Sequence, residues 1–169
     1  MSDRAVENFP SDQAKRGLSP ASLKALKGDL TTFCIWWKQS HQRPFSAQQL
    51  VARALRQWKQ HRQQVEELAP KTINRNLSSL RRFCQWATVR GLLSENPAAT
   101  LQDVPEESLG PRFLPDEAVD ALLRAAKTIK NLRLRLRDEA LLAVLVYAGL
   151  RSQEAYDLQL RDLDLAGEP

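Results

Sequence analysis

A mainly α-helical chain in two parts is what these 169 residues predict. Three observations carry that reading. Apolar residues recur at three- and four-residue intervals through long segments between residues 19 and 97, the period of a helix with one buried face. A stretch rich in proline and acid, 98–113, then interrupts the periodicity. The charge also changes sign across it. Residues 1 to 97 hold 16 Lys or Arg against 7 Asp or Glu, net +9, and residues 98 to 169 hold 9 against 13, net −4. The chain therefore divides into a tail (1–18), a basic helical domain (19–97), a linker (98–113) and a second helical part (114–169). A polyanion is expected to bind mainly to the first half.

Composition excludes several classes. The length suffices to bury a core without disulfide staples. Cys34 and Cys84 fall among apolar helical positions and read as reduced, buried thiols. Neither a zinc set nor any other cofactor site is indicated, and none is expected. The longest apolar run, residues 140 to 150, is well short of the ~20 residues that cross a bilayer, and no secretory signal opens the chain. A soluble, cytoplasmic protein with no membrane partner is expected.

Ser19-Pro20 supplies an N-cap and a proline in the first helical position, where its missing N–H does no harm. From there Leu23, Leu26, Leu30, Phe33 and Trp37 make an apolar stripe for a helix of about 20 residues, with Lys24, Lys27, Thr31 and Lys38 largely off it. Ser46 with Gln49 forms a capping box, and Phe45 with Leu50 a hydrophobic staple. A second helix is therefore predicted from Ser46 to about Glu67, with Leu50, Ala54 and Trp58 inward and Arg53, Arg56 and Gln60 outward. Pro70 starts the third, from Lys71 to about Arg90, which Gly91 ends.

That third helix carries the clearest functional pattern. Ile73, Leu77, Leu80, Cys84 and Ala87 form its buried stripe. At ~100° per residue, Lys71, Arg75 and Arg82 fall opposite it, with Ser78 and Ser79 between them. Such a ridge can hold phosphates and reach base edges in a major groove. Trp37 and Trp58 lie on apolar stripes and read as core; Trp36 and Trp86 are left open between core and base stacking. His41 and His61 read as surface residues.

Beyond the linker, with a short helix possible at 97–101, Leu114-Pro115-Asp116-Glu117 opens a helix whose first-turn acids favour its dipole. Its packing face is Val119, Leu122, Leu123 and Ala126. Residues 132 to 137 alternate leucine and arginine; they are read as the start of a helix, with a strand as the alternative. The apolar run that follows, with Tyr147 taken as core, ends at Gly149, which can turn the chain sharply so that Arg151 begins another helix.

The wording from Arg137-Asp138-Glu139-Ala140-Leu141-Leu142 through Gly149-Leu150-Arg151 to Glu154, and on to Arg161-Asp162-Leu163-Asp164, resembles the tyrosine recombinase (phage integrase) family. So do Ser19, Ser22, Leu26, Asp29, Phe33 and Trp36, and Thr72-x-Asn74-Arg75-x-Leu77-Ser78-Ser79-Leu80-Arg81-Arg82-Phe83. The resemblance runs in order over residues 19 to 165. It implies a SAM-like helical core-binding domain, then a linker, then the first helices of a catalytic domain, with 160–165 as a possible first strand. It implies DNA recombination and integration through a covalent phosphotyrosine, as in mobile elements. Double-stranded DNA is the implied partner, bound through Lys24, Lys27, Lys71, Thr72, Arg75, Ser78, Ser79 and Arg82, with self-association on DNA in the full-length form.

In the family, the arginine of this motif grips the scissile phosphate; here that is Arg151, with Glu154 supporting it. The family's later lysine, His-x-x-Arg motif and nucleophilic tyrosine have no counterpart between Ser152 and Pro169. Tyr156, about 140° around the helix from Arg151, diverges from it. The chain is therefore read as a truncated piece that binds DNA and is inactive by itself. Two alternatives stand beside this: a noncatalytic DNA-binding regulator of the same ancestry, and a helical module whose basic face binds an acidic protein.

Overall fold

The computed structural model describes residues 4–107, 110 and 113–163. Among them every regular element is helical. The chain forms two compact units, Met1–Ser108 and Leu109–Pro169. The first holds α1 (Arg4–Lys15), α2 (Pro20–His41), α3 (Ala52–Gln64) and α4 (Pro70–Val89). The second holds α5 (Asp116–Lys127), α6 (Leu132–Tyr147) and α7 (Ser152–Asp157). No helix among the described residues is long and apolar enough to cross a membrane.

The first unit is built as its periodicity requires. Ser19 caps α2 by accepting the Ser22 N–H at 3.2 Å, with Pro20 in the first turn. Leu26, Leu30, Phe33 and Trp37 of α2 are buried, as are Ala54, Leu55 and Trp58 of α3. Ile73, Leu77, Leu80, Cys84 and Ala87 of α4 are buried almost completely. Phe33 stands at the centre, meeting Phe45 edge-on at 5.4 Å and Trp58 at 5.5 Å. Aromatic pairs in this arrangement add to plain area burial. Trp36 and Trp86, left open by the sequence, are both buried. Gly91 leaves α4 with φ +70°, a conformation in which a Cβ is strained.

Several expectations for this unit are corrected. Residues 1 to 18 are not simply a tail: α1 drives Phe9 into the core, fully buried, against Phe83 at 5.5 Å and Trp86 at 5.3 Å. Its signal was masked by Pro10 within the helix and by few apolar residues. The second long helix does not start at Ser46, whose side chain makes no cap bond. A 3₁₀ turn spans Ala47–Gln49, and Leu50 is extended so that it buries beside Phe45 before α3 begins. That helix stops at Gln64 rather than near Glu67, which adopts φ +50°. No helix forms at 97–101, where hydrogen-bonded turns lead into chain without regular structure.

The segment after these turns brings the largest correction. The linker read at 98–113 is, for its first half, a strap docked on α3 and α4. Val104 is buried. Its N–H donates to Asn74 Oδ1 at 2.8 Å and its carbonyl accepts from Asn74 Nδ2 at 2.9 Å. Arg81 donates to the Leu101 carbonyl at 2.7 Å and pairs with Asp103 at 2.8 Å. Lys59 donates to the carbonyls of Gln102 and Asp103.

In the second unit Asn131 caps α6 through the Leu134 N–H, so residues 132 to 137 are helical. Ala126 is the one buried residue of α5 to α7 among those described. Tyr147, expected in a core, is 76% exposed because α6 has no buried position in this unit. Gly149 turns the chain at φ +65° into α7. Leu160–Asp162 is a 3₁₀ turn rather than the start of a strand; residues 164 and 165 of that expectation lie outside the described residues.

Candidate nucleic-acid interface

Burying one side of α4 forces its other side outward. Lys71, Arg75, Ser78 and Arg82 are exposed there, Thr72 is half-buried, and Lys24 and Lys27 are exposed on α2. Ser79 is the exception among the predicted contacts. It is only 9% exposed, and its hydroxyl donates to Asp29 Oδ2 at 2.6 Å. Its place is inside the unit, since its position on the wheel lies nearer the packed stripe.

Asp29 was not among the predicted site residues, yet it organises the inner edge of this face. It belongs to α2 and is 4% exposed. A buried carboxylate needs compensating donors, and α4 supplies three. Besides Ser79, Asn76 Nδ2 donates to Oδ1 at 2.8 Å. Arg75 closes a two-point fork, Nη1 to Oδ2 at 3.1 Å and Nη2 to Oδ1 at 2.9 Å. Behind Asn76, its Oδ1 accepts from Arg62 Nη2 of α3 at 3.0 Å, and Arg62 pairs with Glu66. The Arg62 guanidinium lies over the Trp58 ring, 5.4 Å from its centroid. Two acids and two arginines thus form one balanced chain joining three helices.

The signals for the missed residues were present. Asp29 and Asn76 each stand beside a leucine on the side of the helix that the apolar spacing marks as buried. A polar residue at such a position needs a partner from another element, and sequence spacing does not say which. Asn74 and Arg81, turned toward the strap, likewise belong to the structure of the unit.

The turn after Gly149 is a separate feature of the second unit. Arg151 precedes α7, and its N–H donates to Glu154 Oε2 at 2.8 Å while Nη1 meets Oε1 at 3.0 Å. The Arg151 side chain is 85% exposed. Glu154 therefore holds both the backbone and the guanidinium of Arg151 in one geometry, leaving most of its N–H groups to solvent. Tyr156 is 83% exposed and makes no described contact with either.

Residues 13–91 match the model of the phage integrase N-terminal SAM-like domain. The chain is 34% identical to the tyrosine recombinase XerC of Xanthomonas axonopodis pv. citri (strain 306), over 90% of this chain and 52% of that protein. It is 31% identical to XerC of Chromobacterium violaceum, over 97% of this chain and 52% of that protein. Against the tyrosine recombinase XerD of Lacticaseibacillus casei the identity is 29%, over 90% of this chain and 50% of that protein. The chain spans about half the length of the curated relatives it matches. No solved structure matches it.

Proposed function

Because the chain belongs to the tyrosine recombinase (phage integrase) family, we propose that its first unit binds duplex DNA through the exposed side of α4, with Lys24 and Lys27 of α2 assisting. The observation that carries this reading is the segregation on α4. One side is sealed into the core, and the other presents Lys71, Arg75, Ser78 and Arg82 to solvent. Cations arranged along a helix neutralise phosphates and release counterions, and hydroxyl and guanidinium groups add directional hydrogen bonds. Thr72, half-buried at the margin, donates from the edge. Ser79 acts through Asp29 and not on DNA.

Arg151 is assigned the role of holding a nonbridging oxygen of the scissile phosphate. A guanidinium remains charged and offers a planar fork suited to phosphate oxygens, and it offsets the charge that develops as the phosphorus is attacked. Glu154 buttresses it. The attacking hydroxyl is assigned to neither Tyr147 nor Tyr156, both exposed and neither hydrogen-bonded to a basic side chain among the described residues. The share of the family chemistry assigned to these residues is thus DNA binding and phosphate ligation, in the cytoplasm where the DNA lies.

The test is duplex binding across a salt titration. Wild-type affinity should fall steeply as salt rises, and the K71A/R75A/R82A variant should show a log–log slope shallower by about 3. Equal slopes for the two proteins would remove α4 from the interface. A nicked suicide duplex should leave no adduct that survives denaturation; one mapped to Tyr147 or Tyr156 would overturn the assignment of the nucleophile.

A further inference from the structure

We infer that Asp29 is a positioning residue that converts Arg75 from a mobile surface cation into a fixed fork, aimed at two acceptor atoms lying in one plane on DNA. The inference rests on the reading of α4 as the DNA-binding helix. It goes beyond that reading by separating one cation of the face from the others in kind.

The geometry makes the separation. Lys24, Lys27, Lys71 and Arg82 are exposed, and no ion pair of theirs is described. Arg75 is half-exposed, at 53% of its side chain, while the carboxylate behind it is almost fully enclosed at 5%. Nη1 of the guanidinium donates to Asp29 Oδ2, and Nη2 lies 2.9 Å from Oδ1 as an ion pair. A guanidinium has five N–H groups in a rigid plane, so those not turned to Asp29 point away from the carboxylate. Asp29 is itself immobilised by Asn76 and Ser79, and Asn76 by Arg62. Arg75 is therefore oriented before any ligand arrives, through a relay that reaches α3.

Such an arrangement serves directional recognition more than simple attraction. The Asp29 charge offsets that of Arg75 at long range, so the pair adds little to steering. At contact, the preset plane matches either two phosphate oxygens or the O6 and N7 of guanine, both planar acceptor pairs. A lysine keeps the charge but has no plane and cannot replace the fork.

The experiment compares wild type, Asp29→Asn and Arg75→Lys for binding to a random-sequence duplex and to the same duplex with 7-deazaguanine in place of guanine. Nitrogen-15 spectra of the free proteins report the arginine side chains. Wild type should show resolved, slowly rotating Arg75 η resonances that are lost in Asp29→Asn. Asp29→Asn should bind about tenfold more weakly at fixed salt although its net charge is one unit more positive. Arg75→Lys should weaken binding by a similar factor although its charge is kept, which maintains the test if Asp29→Asn does not fold. A wild-type advantage that vanishes on 7-deazaguanine assigns the fork to guanine; one that persists assigns it to phosphate. Asp29→Asn binding as tightly as wild type or tighter, or Arg75→Lys matching it, overturns the inference while leaving α4 as the DNA-binding helix. Absence of binding by wild type at low salt overturns both.

Discussion

Asp12 sits where α1 meets α4, accepting from Trp86 Nε1 at 2.9 Å and pairing with Arg90. The hydrogen bond from Trp86, then that from Arg90, hold its carboxyl below the usual carboxylate range. A carboxyl whose pKa is depressed on folding contributes stability that is complete above its unfolded value. That contribution is lost as pH falls through the folded value. Melting temperature measured from neutral to strongly acidic pH should therefore show a gap between wild type and Asp12→Asn that is widest near neutrality and closes under acid. A gap independent of pH would assign Asp12 a packing role alone. Residue-scale chemistry was only partly legible in the sequence. The exposure of Lys71, Arg75 and Arg82 was legible because they oppose a clean apolar stripe. The pairing of Ser79 and Asn76 with Asp29 was not legible, because the partners come from different helices and one-dimensional spacing carries no information on tertiary pairing. Cys84 behaved as its position predicted: burial pushes its thiol up to about 12, so it stays protonated and weakly nucleophilic.

At the scale of elements, α2, α3 and α4 were readable because each fills a repeating stripe whose period is fixed by helical geometry. Residues 132 to 137 were readable as helix because the Asn131 cap outweighs a local leucine–arginine alternation. The α1 helix was hidden: Pro10 interrupts the expected bonding, and one aromatic residue does most of the docking. That concentration makes a sharp prediction. Phe9→Ala should cost the first unit about 3–5 kcal/mol, the range for truncating a buried aromatic, measured by urea unfolding followed by tryptophan emission. A loss below about 1 kcal/mol would mean that α1 is peripheral to the fold. The strap was hidden for another reason. It docks through bonds from Asn74, Arg81 and Lys59 to its backbone, which any sequence of suitable length can accept. The apolar side chains that mark the docking are few and scattered, Val104 and Ala98 buried and Leu101 packed against the core, with no repeating period to reveal them.

Across the whole molecule the two units differ in how they are held. The first encloses a continuous core with all four tryptophans, each at most 7% exposed. In the second, α5 to α7 bury Ala126 and leave Leu122, Leu132, Leu134, Leu136 and Leu141 substantially exposed. Enclosed apolar area is the main driving force for a cooperative fold. Heating should therefore remove part of the far-ultraviolet circular dichroism before tryptophan emission changes, since the emission reports the first unit alone. Coincident transitions would show that the two units unfold as one. The Arg151 turn belongs to the less enclosed unit, so its local order should depend more on the Glu154 contacts than on packing.

The strap that Asn74 clasps also shelters its own backbone. The Val104 N–H is engaged with Asn74 Oδ1 and the Val104 side chain is buried, so this amide can trade its hydrogen with water only when the clasp opens. Asn74→Ala removes both of the bonds to Val104, and the lifetime of that one amide hydrogen then reads how often the strap lifts.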